Sequence, residues 1–292
     1  NGAIGVDNAG KPVATIGELA KAKGMKIGNV STAEIQDATP AAFAAHALKR
    51  SYYAPSGDAK PAKGEQLREN GGLGSISEQI VDLRADVTLG GGRKYFDAEV
   101  KQGGQWGDNG NVWTAGKSVL DNAKDNGYQV VTSASELDKI AEANADKPVL
   151  GLFSEGNMPR VLNQSIPTTD GGDQAPATCV ANPEFTAETP RLAAMTTKAL
   201  ELLQNDNGFL LQVESASPDK ADHQADACGL IGEVGQLDEA VQAVQDWVDA
   251  TGEETLIVAT ADHAHTAQIT YAGANTAGRV TQLTTVEGST MA

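Results

Sequence analysis

Short runs rich in Val, Leu and Ile alternate along the chain with segments whose apolar residues recur every three or four positions. The first pattern predicts strands and the second amphipathic helices. Helices are predicted over Val13–Lys23, from about Pro40 to Ser51, and over Ile76–Leu83, Ser135–Ala145, Thr189–Leu203 and Glu233–Ala250. In the last of these, Val234, Leu237, Val241, Val244 and Val248 form one apolar stripe. Strands are predicted over Met25–Val30, Asp86–Leu89, Gln129–Thr132, Pro148–Phe153, Gly208–Val213 and Thr255–Thr260. Apolar strands alternating with amphipathic helices imply an α/β fold, with a mostly parallel central sheet and helices on both faces. Three stretches carry no periodicity: Tyr53–Gly74, the residues after Gly90–Gly92 as far as about Val119, and Ser154–Thr186. They exceed ordinary connections and read as long inserted loops with a functional purpose. No fixed-period repeat is present.

Composition narrows the partners. The chain has 292 residues, 40% hydrophobic and 21% charged, enough to bury a sizeable core. Acidic residues outnumber basic ones 39 to 22, a formal charge of -17, which argues against nucleic acid binding as such. Aromatics at 4% supply few stacking platforms for bases. No apolar window is long enough for a membrane-spanning helix. The opening NGAIGVDNAG has no initiator Met and no signal-peptide pattern, and with the ending VEGSTMA it suggests a piece of a longer protein. Cys179 and Cys228 are either two buried thiols or one disulfide closing a loop. Their loop-like surroundings, ATCVANP and DACGLIG, favour the disulfide and an oxidising compartment.

Chemistry concentrates where predicted strands end, which is where open α/β sheets bind ligands. Met25–Val30 runs into STAEIQDATPAA, Gly208–Val213 into ESASPDKADH, and Thr255–Thr260 into ADHAH. Three of the four histidines, His223, His263 and His265, lie in the last two segments beside Asp219, Asp222 and Asp262. Imidazole and carboxylate are the mixed ligand set of zinc. Asp219 and His223 would share one face of a helical turn. Read alone, such a pair is ordinarily a solvated helix face; three such segments at strand ends favour a metal site. His46, inside the Ala-rich helix, reads as structural. Gly90–Gly92 reads as a plain turn rather than a phosphate cradle, since no helix pattern follows it directly. Arg50 closes the helix after QDATP, as a partner for the helix C-terminus or as a clamp for an oxyanion.

The strings GNVSTAEIQDATPAA, ADVTLGGG, GLFSEGNMP, FLLQVESASPDKADH, CGLIGE and TADHAH resemble, in the same order, bacterial alkaline phosphatase of the periplasmic, metal-dependent type. The resemblance spans essentially the whole chain. It implies a phosphomonoesterase with two zinc ions and one magnesium, working through a phosphoserine intermediate on small phosphate monoesters. Asp219 and His223 would bind the first zinc, and Asp262 and His263 the second. Thr39 and Glu214 would bind magnesium, with Asp37 beside it through water. Arg50 would grip the phosphate and Lys220 would reach it through water. His265 would orient a zinc-ligating carboxylate. A homodimer in the periplasm or secreted medium is implied as well.

The pattern also departs from the family. No Asp-Ser-Ala nucleophile segment is present, and Ser31, Ser215 and Ser217 do not occupy its place. A metal-bridging aspartate and a third zinc-binding histidine also have no counterpart. The loop SYYAPSGD lacks the cysteine of a second disulfide found in many relatives, and Pro218 stands within a ligand segment. The expectation is one alkaline phosphatase-like domain over residues 1–292, incomplete at both ends and nearly inactive alone, since each metal keeps only about two of the three protein ligands a catalytic zinc needs. Alternatives are a phosphodiesterase of the same superfamily or a catalytically silent protein that binds metal or phosphate. A sulfatase would need a modified Cys or Ser motif that is not seen.

Overall fold

Lys26–Glu34 forms strand β1, and each residue from Ile27 to Glu34 is buried. Successive side chains of a strand point to opposite faces, so the sheet is covered on both. In a computed structural model that describes residues 2–274 and 278–292, β1 is an inner strand of a five-stranded parallel sheet. On one side it pairs with β2 (Val87–Gly91), in register Gly28↔Val87. On the other it pairs with β7 (Phe209–Glu214), from Lys26↔Phe209 to Ser31↔Glu214. Beyond β2 lie β6 (Val149–Leu152) and then β5 (Gln129–Val131), giving the order β5-β6-β2-β1-β7. The α/β fold and the parallel sheet are therefore as the sequence predicts. Gly28 lets its neighbours pack close: a Cβ there would lie 2.5 Å from Leu203 Cδ1, which would have to shift.

Polar residues at the turns set where helices start. Thr15 and Glu18 form a capping box for α1 (Ile16–Ala22), and Ser75 and Glu78 form one for α3 (Ile76–Leu83). Asp37 caps α2 (Ala38–Ala44), Ser118 caps α5 (Val119–Asp125), and Ser133 caps α6 (Ala134–Leu137). Gly92, with φ +91°, starts the single turn α4 (Arg93–Phe96). A short antiparallel pair, β3 (Gly104–Gln105) and β4 (Val112–Trp113), lies in the second irregular stretch. Helix α7 (Leu192–Leu203) packs on β1 and β2.

The described residues divide into two compact units: Asn1–Met158 with Glu188–Glu214, which holds the sheet, and Pro159–Ala187 with Ser215–Ala292. The second unit contains α8 (Ser217–Asp222), the long helix α9 (Ala227–Thr251), and the small pair β8 (Leu283–Thr284) and β9 (Thr290–Met291). Its irregular segments are tied down by polar groups. Buried Asp226 caps α9 through Gly229, accepts from Ser165 N at 2.7 Å, and pairs with Arg160 at 2.7 Å. Cys179 and Cys228 form a disulfide. Among the described residues no helix is long and apolar enough to cross a membrane.

Four predicted elements differ. Helix α2 stops at Ala44, not near Ser51, because the next backbone N–H groups bond elsewhere: His46 N to Gln79 Oε1 at 2.8 Å and Ala47 N to Ile4 O at 2.8 Å. His46 and Arg50 thus lie beyond the helix rather than within and at the end of it. The helix predicted to Ala145 ends at Leu137, and Asn144 Oδ1 instead organises a turn with Asp146 N and Lys147 N. A helical turn does follow Gly90–Gly92, too short to leave a periodic signal. Thr255–Thr260 is not a strand: it has no ladder among the described residues, and Leu256 and Val258 are 88% and 75% exposed. An apolar β-branched run is a strand only if another strand offers its hydrogen bonds.

Candidate functional site

The sequence-predicted residues fall into two groups, one in each unit. In the sheet unit they gather at the carboxyl ends of β1 and β7. Asp37 follows β1 by three residues, and its N–H bonds Glu34 O at 2.8 Å. Its Oδ1 accepts from Ala38 N at 3.0 Å, from Arg50 Nη2 at 2.8 Å and from Tyr53 Oη at 3.0 Å. The Arg50 side chain is 52% exposed, so its guanidinium is anchored at one edge and open to solvent elsewhere. Glu214, the last residue of β7, accepts from Ser31 Oγ at 2.5 Å, across the register of the two strands. Thr39 is exposed in the first turn of α2, and its carbonyl accepts from Gln212 Nε2 at 3.1 Å. Asp37, Thr39 and Glu214 thus all come from the adjoining ends of β1 and β7.

Beside this group lies a set that sequence reasoning missed. Glu34 is buried, with Oε1 on Lys94 Nζ at 2.9 Å and Tyr95 Oη at 3.1 Å, and Oε2 on Lys60 Nζ at 3.1 Å. Burial opposes its ionisation, but the Lys94 and Lys60 hydrogen bonds prevail and hold the carboxyl below its ordinary range. Tyr53 is buried beneath Lys60, whose Nζ lies 3.8 Å from the ring centroid. Burial, then the Asp37 carboxylate, pushes the Tyr53 phenol upward, so it remains a hydrogen-bond donor. No spacing along the chain joins Glu34, Tyr53, Lys60 and Lys94; only the fold of the long loop does.

In the second unit the histidines converge on one atom. Asp219 stands on α8, where Pro218 occupies the first turn, a position that suits proline because no intrahelical N–H bond is required there. Asp219 Oδ1 lies 2.8 Å from His265 Nε2, 3.6 Å from His263 Nε2 and 3.6 Å from His223 Nε2. The His265 ring meets the His223 and His263 rings edge-on, with centroids 4.8 Å and 5.2 Å away. Donor atoms of Asp219, His263 and His265 lie within 4.8 Å of one another, and carboxylate with imidazole suits zinc. His223, 68% exposed, shares the helical face of Asp219. Asp262 is 88% exposed and lies 3.7 Å from the ring of its neighbour His263, on the rim of the cluster rather than among the donors that meet at Asp219. Lys220 follows Asp219 on α8 and is partly buried.

The alkaline phosphatase family model matches residues 1–289. The chain belongs to the alkaline phosphatase family. The family's members are phosphomonoester hydrolases, and the Escherichia coli alkaline phosphatase is 47% identical over 293 residues, a match covering 100% of this chain and 60% of that protein. The chain therefore spans about three-fifths of the length of that relative. Solved structures agree on the fold. A cold-active alkaline phosphatase from the psychrophile Shewanella sp. superposes with a TM-score of 0.60 at 29% identity, covering 86% of this chain and 47% of that one. A variant of the alkaline phosphatase from the Antarctic bacterium TAB5, with Mg bound in its M3 site, gives 0.55 at 25% identity, covering 86% and 56%.

Proposed function

We propose that the protein carrying these residues hydrolyses phosphate monoesters with the help of bound metal ions. The observation that carries this reading is the convergence of His223, His263 and His265 on a single oxygen of Asp219. Carboxylate and imidazole donors from Asp219, His263 and His265 lie within 4.8 Å of one another, close enough for one cation to be shared among them. The donor chemistry fits zinc, and the magnesium seen in the TAB5 relative supports a metal-dependent reaction.

The assignment follows the resemblance: Asp219 and His223 for one zinc, Asp262 and His263 for a second, Thr39 and Glu214 for magnesium, and Asp37 beside the magnesium through water. Bound metals supply Lewis-acid charge that stabilises the attacking and leaving oxygens of the phosphoryl transfer. The side chains do the rest. Arg50 binds non-bridging phosphate oxygens with its guanidinium fork, which suits a monoester better than a diester. By the same resemblance Lys220 would reach the phosphate through water; within its own unit, His265 holds Asp219 in orientation through its 2.8 Å hydrogen bond. By the resemblance the nucleophile is the serine of an Asp-Ser-Ala segment, whose place in the motif none of Ser31, Ser215 and Ser217 occupies; Ser31 Oγ is engaged with Glu214. The disulfide supports folding in an oxidising compartment, periplasmic or secreted, and a homodimer is the proposed assembly.

The test compares the whole gene product with the 292-residue chain, each supplied with zinc and magnesium. The whole gene product should hydrolyse p-nitrophenyl phosphate, lose activity to a chelator and regain it with zinc; the 292-residue chain should show nearly none. A whole gene product that prefers diesters, or ignores chelation, overturns the reading.

A further inference from the structure

Arg50 is a long, half-exposed side chain on a turn, and such a group has many rotamers to lose when it meets an anion. What it touches beforehand decides how much of that loss is already incurred. It touches Asp37 Oδ1, and so does Tyr53. We propose that Tyr53 is a positioning residue of the phosphate grip: its hydroxyl fixes Asp37, Asp37 fixes the Arg50 guanidinium, and Lys60 locks the Tyr53 ring in place. The proposal rests on the reading of Arg50 as the phosphate-binding arginine.

Tyr53 is held on every side. Its N–H bonds Lys60 O at 2.9 Å and its carbonyl accepts from Ser77 N at 3.0 Å, at the start of α3. The Lys60 ammonium covers one part of the ring and the Tyr95 ring meets it edge-on, with centroids 4.9 Å apart. Lys60 takes up this position with φ +51°, in the left-handed region where a side chain is unfavourable. A glycine would satisfy that backbone more cheaply but would carry no ammonium. The ammonium is what reaches both the Tyr53 ring and Glu34.

The connections close into a circuit. Glu34 O receives the Asp37 N–H, fixing the backbone of Asp37, while the Glu34 carboxylate binds Lys60, which covers Tyr53, which binds the Asp37 carboxylate. Asp37 is thus held at both main chain and side chain by contacts that originate at the end of β1. Tyr53 also shares with Arg50 the oxygen that would otherwise be more fully available to the arginine. With the hydroxyl gone, Asp37 Oδ1 draws the guanidinium more strongly and its plane is no longer fixed, and both effects weaken the grip on phosphate.

The experiment measures binding of inorganic phosphate to the metal-replete whole gene product by calorimetry, alongside turnover of p-nitrophenyl phosphate. Tyr53→Phe should weaken phosphate binding about tenfold, the scale of one hydrogen bond to a charged group, with KM raised more than kcat is lowered. Lys60→Met should shift binding in the same direction by less. In an Arg50→Ala background, which itself binds phosphate more weakly, Tyr53→Phe should change affinity by less than about twofold, because coupled residues act through one another. Thermal melts identify a variant that has simply lost its fold, and Lys60→Met then serves in place of Tyr53→Phe. An equal loss of affinity with and without Arg50 overturns the proposal, as does unchanged affinity in either variant or in Arg50→Ala alone. Absence of turnover with Arg50-dependent, Tyr53-coupled phosphate binding would instead sink the phosphatase reading and leave this one standing.

Discussion

The single atom Asp219 Oδ1 illustrates how much one residue's surroundings decide. With His265 Nε2 at 2.8 Å, its carboxylate is oriented by an imidazole. Replacing His265 with Ala should lower zinc affinity by about 10- to 100-fold while leaving the fold intact, measured by competition with a zinc-binding dye. An affinity equal to that of the unaltered protein would remove His265 from the cluster's chemistry. Glu34 makes a prediction of opposite kind, about stability. Its carboxyl lies below its ordinary range in the folded state, so its ion pairs contribute fully above the unfolded value, about pH 4.3, and are lost as pH falls through the folded value. Urea midpoints should therefore fall on acidification more steeply for the unaltered protein than for Glu34→Gln. Parallel curves would show that Glu34 is not a source of acid sensitivity.

At the scale of elements, caps and ladders account for what forms and what does not. Asp226 is fully buried and takes up the N-terminus of α9, Ser165 and Arg160 together. Asp226→Ala should cost about 3–5 kcal/mol, since it leaves a partly buried arginine and backbone donors without their acceptor. A thermal or urea transition unchanged by the substitution would refute that role. The neighbouring disulfide joins residues 49 apart, and its removal should cost about 4 kcal/mol through the freedom restored to the unfolded chain. Calorimetric melting with and without reductant tests it. The same reasoning separates two apolar runs that look alike in sequence. Ile27–Val30 has strand neighbours on both sides, whereas Thr255–Thr260 has no ladder among the described residues. Amide hydrogens of the first should exchange far more slowly than those of the second in the 292-residue chain. Equal protection would mean that Thr255–Thr260 finds a strand partner in solution.

Across the whole molecule, a chain of charge -17 uses some of its carboxylates to hold cations in place. Arg68, 2% exposed in its side chain, pairs with Glu78 at 3.4 Å and with Asp82, and lies over the Trp113 ring at 4.5 Å. It anchors the cysteine-free long loop, Tyr53–Gly74, to α3 without a covalent link in that loop. Lys60, in the same loop, reaches the Tyr53 ring and Glu34. The excess of carboxylates is partly consumed by such contacts and partly by the residues assigned to cations; the rest is solvated surface.

The sequence by itself determined the class of fold. Val, Leu and Ile runs placed five of the six predicted strands, because hydrophobic period is a local property. It also marked Asp219, His223, His263 and His265 as a group, through their rarity and their positions after apolar runs. Only the tertiary structure decided how far α2 runs, because Gln79 and Ile4 compete for its last hydrogen bonds. Only it showed that Thr255–Thr260 lacks a ladder, and that Asp262 stays on the rim while His265 meets Asp219. Tyr53 and Lys60 were invisible beforehand for the same reason. Their significance lies in sharing a carboxylate with Arg50 and a ring face with each other, and hydrogen bonds between residues that meet only through a folded loop leave no period, spacing or composition for the chain to display.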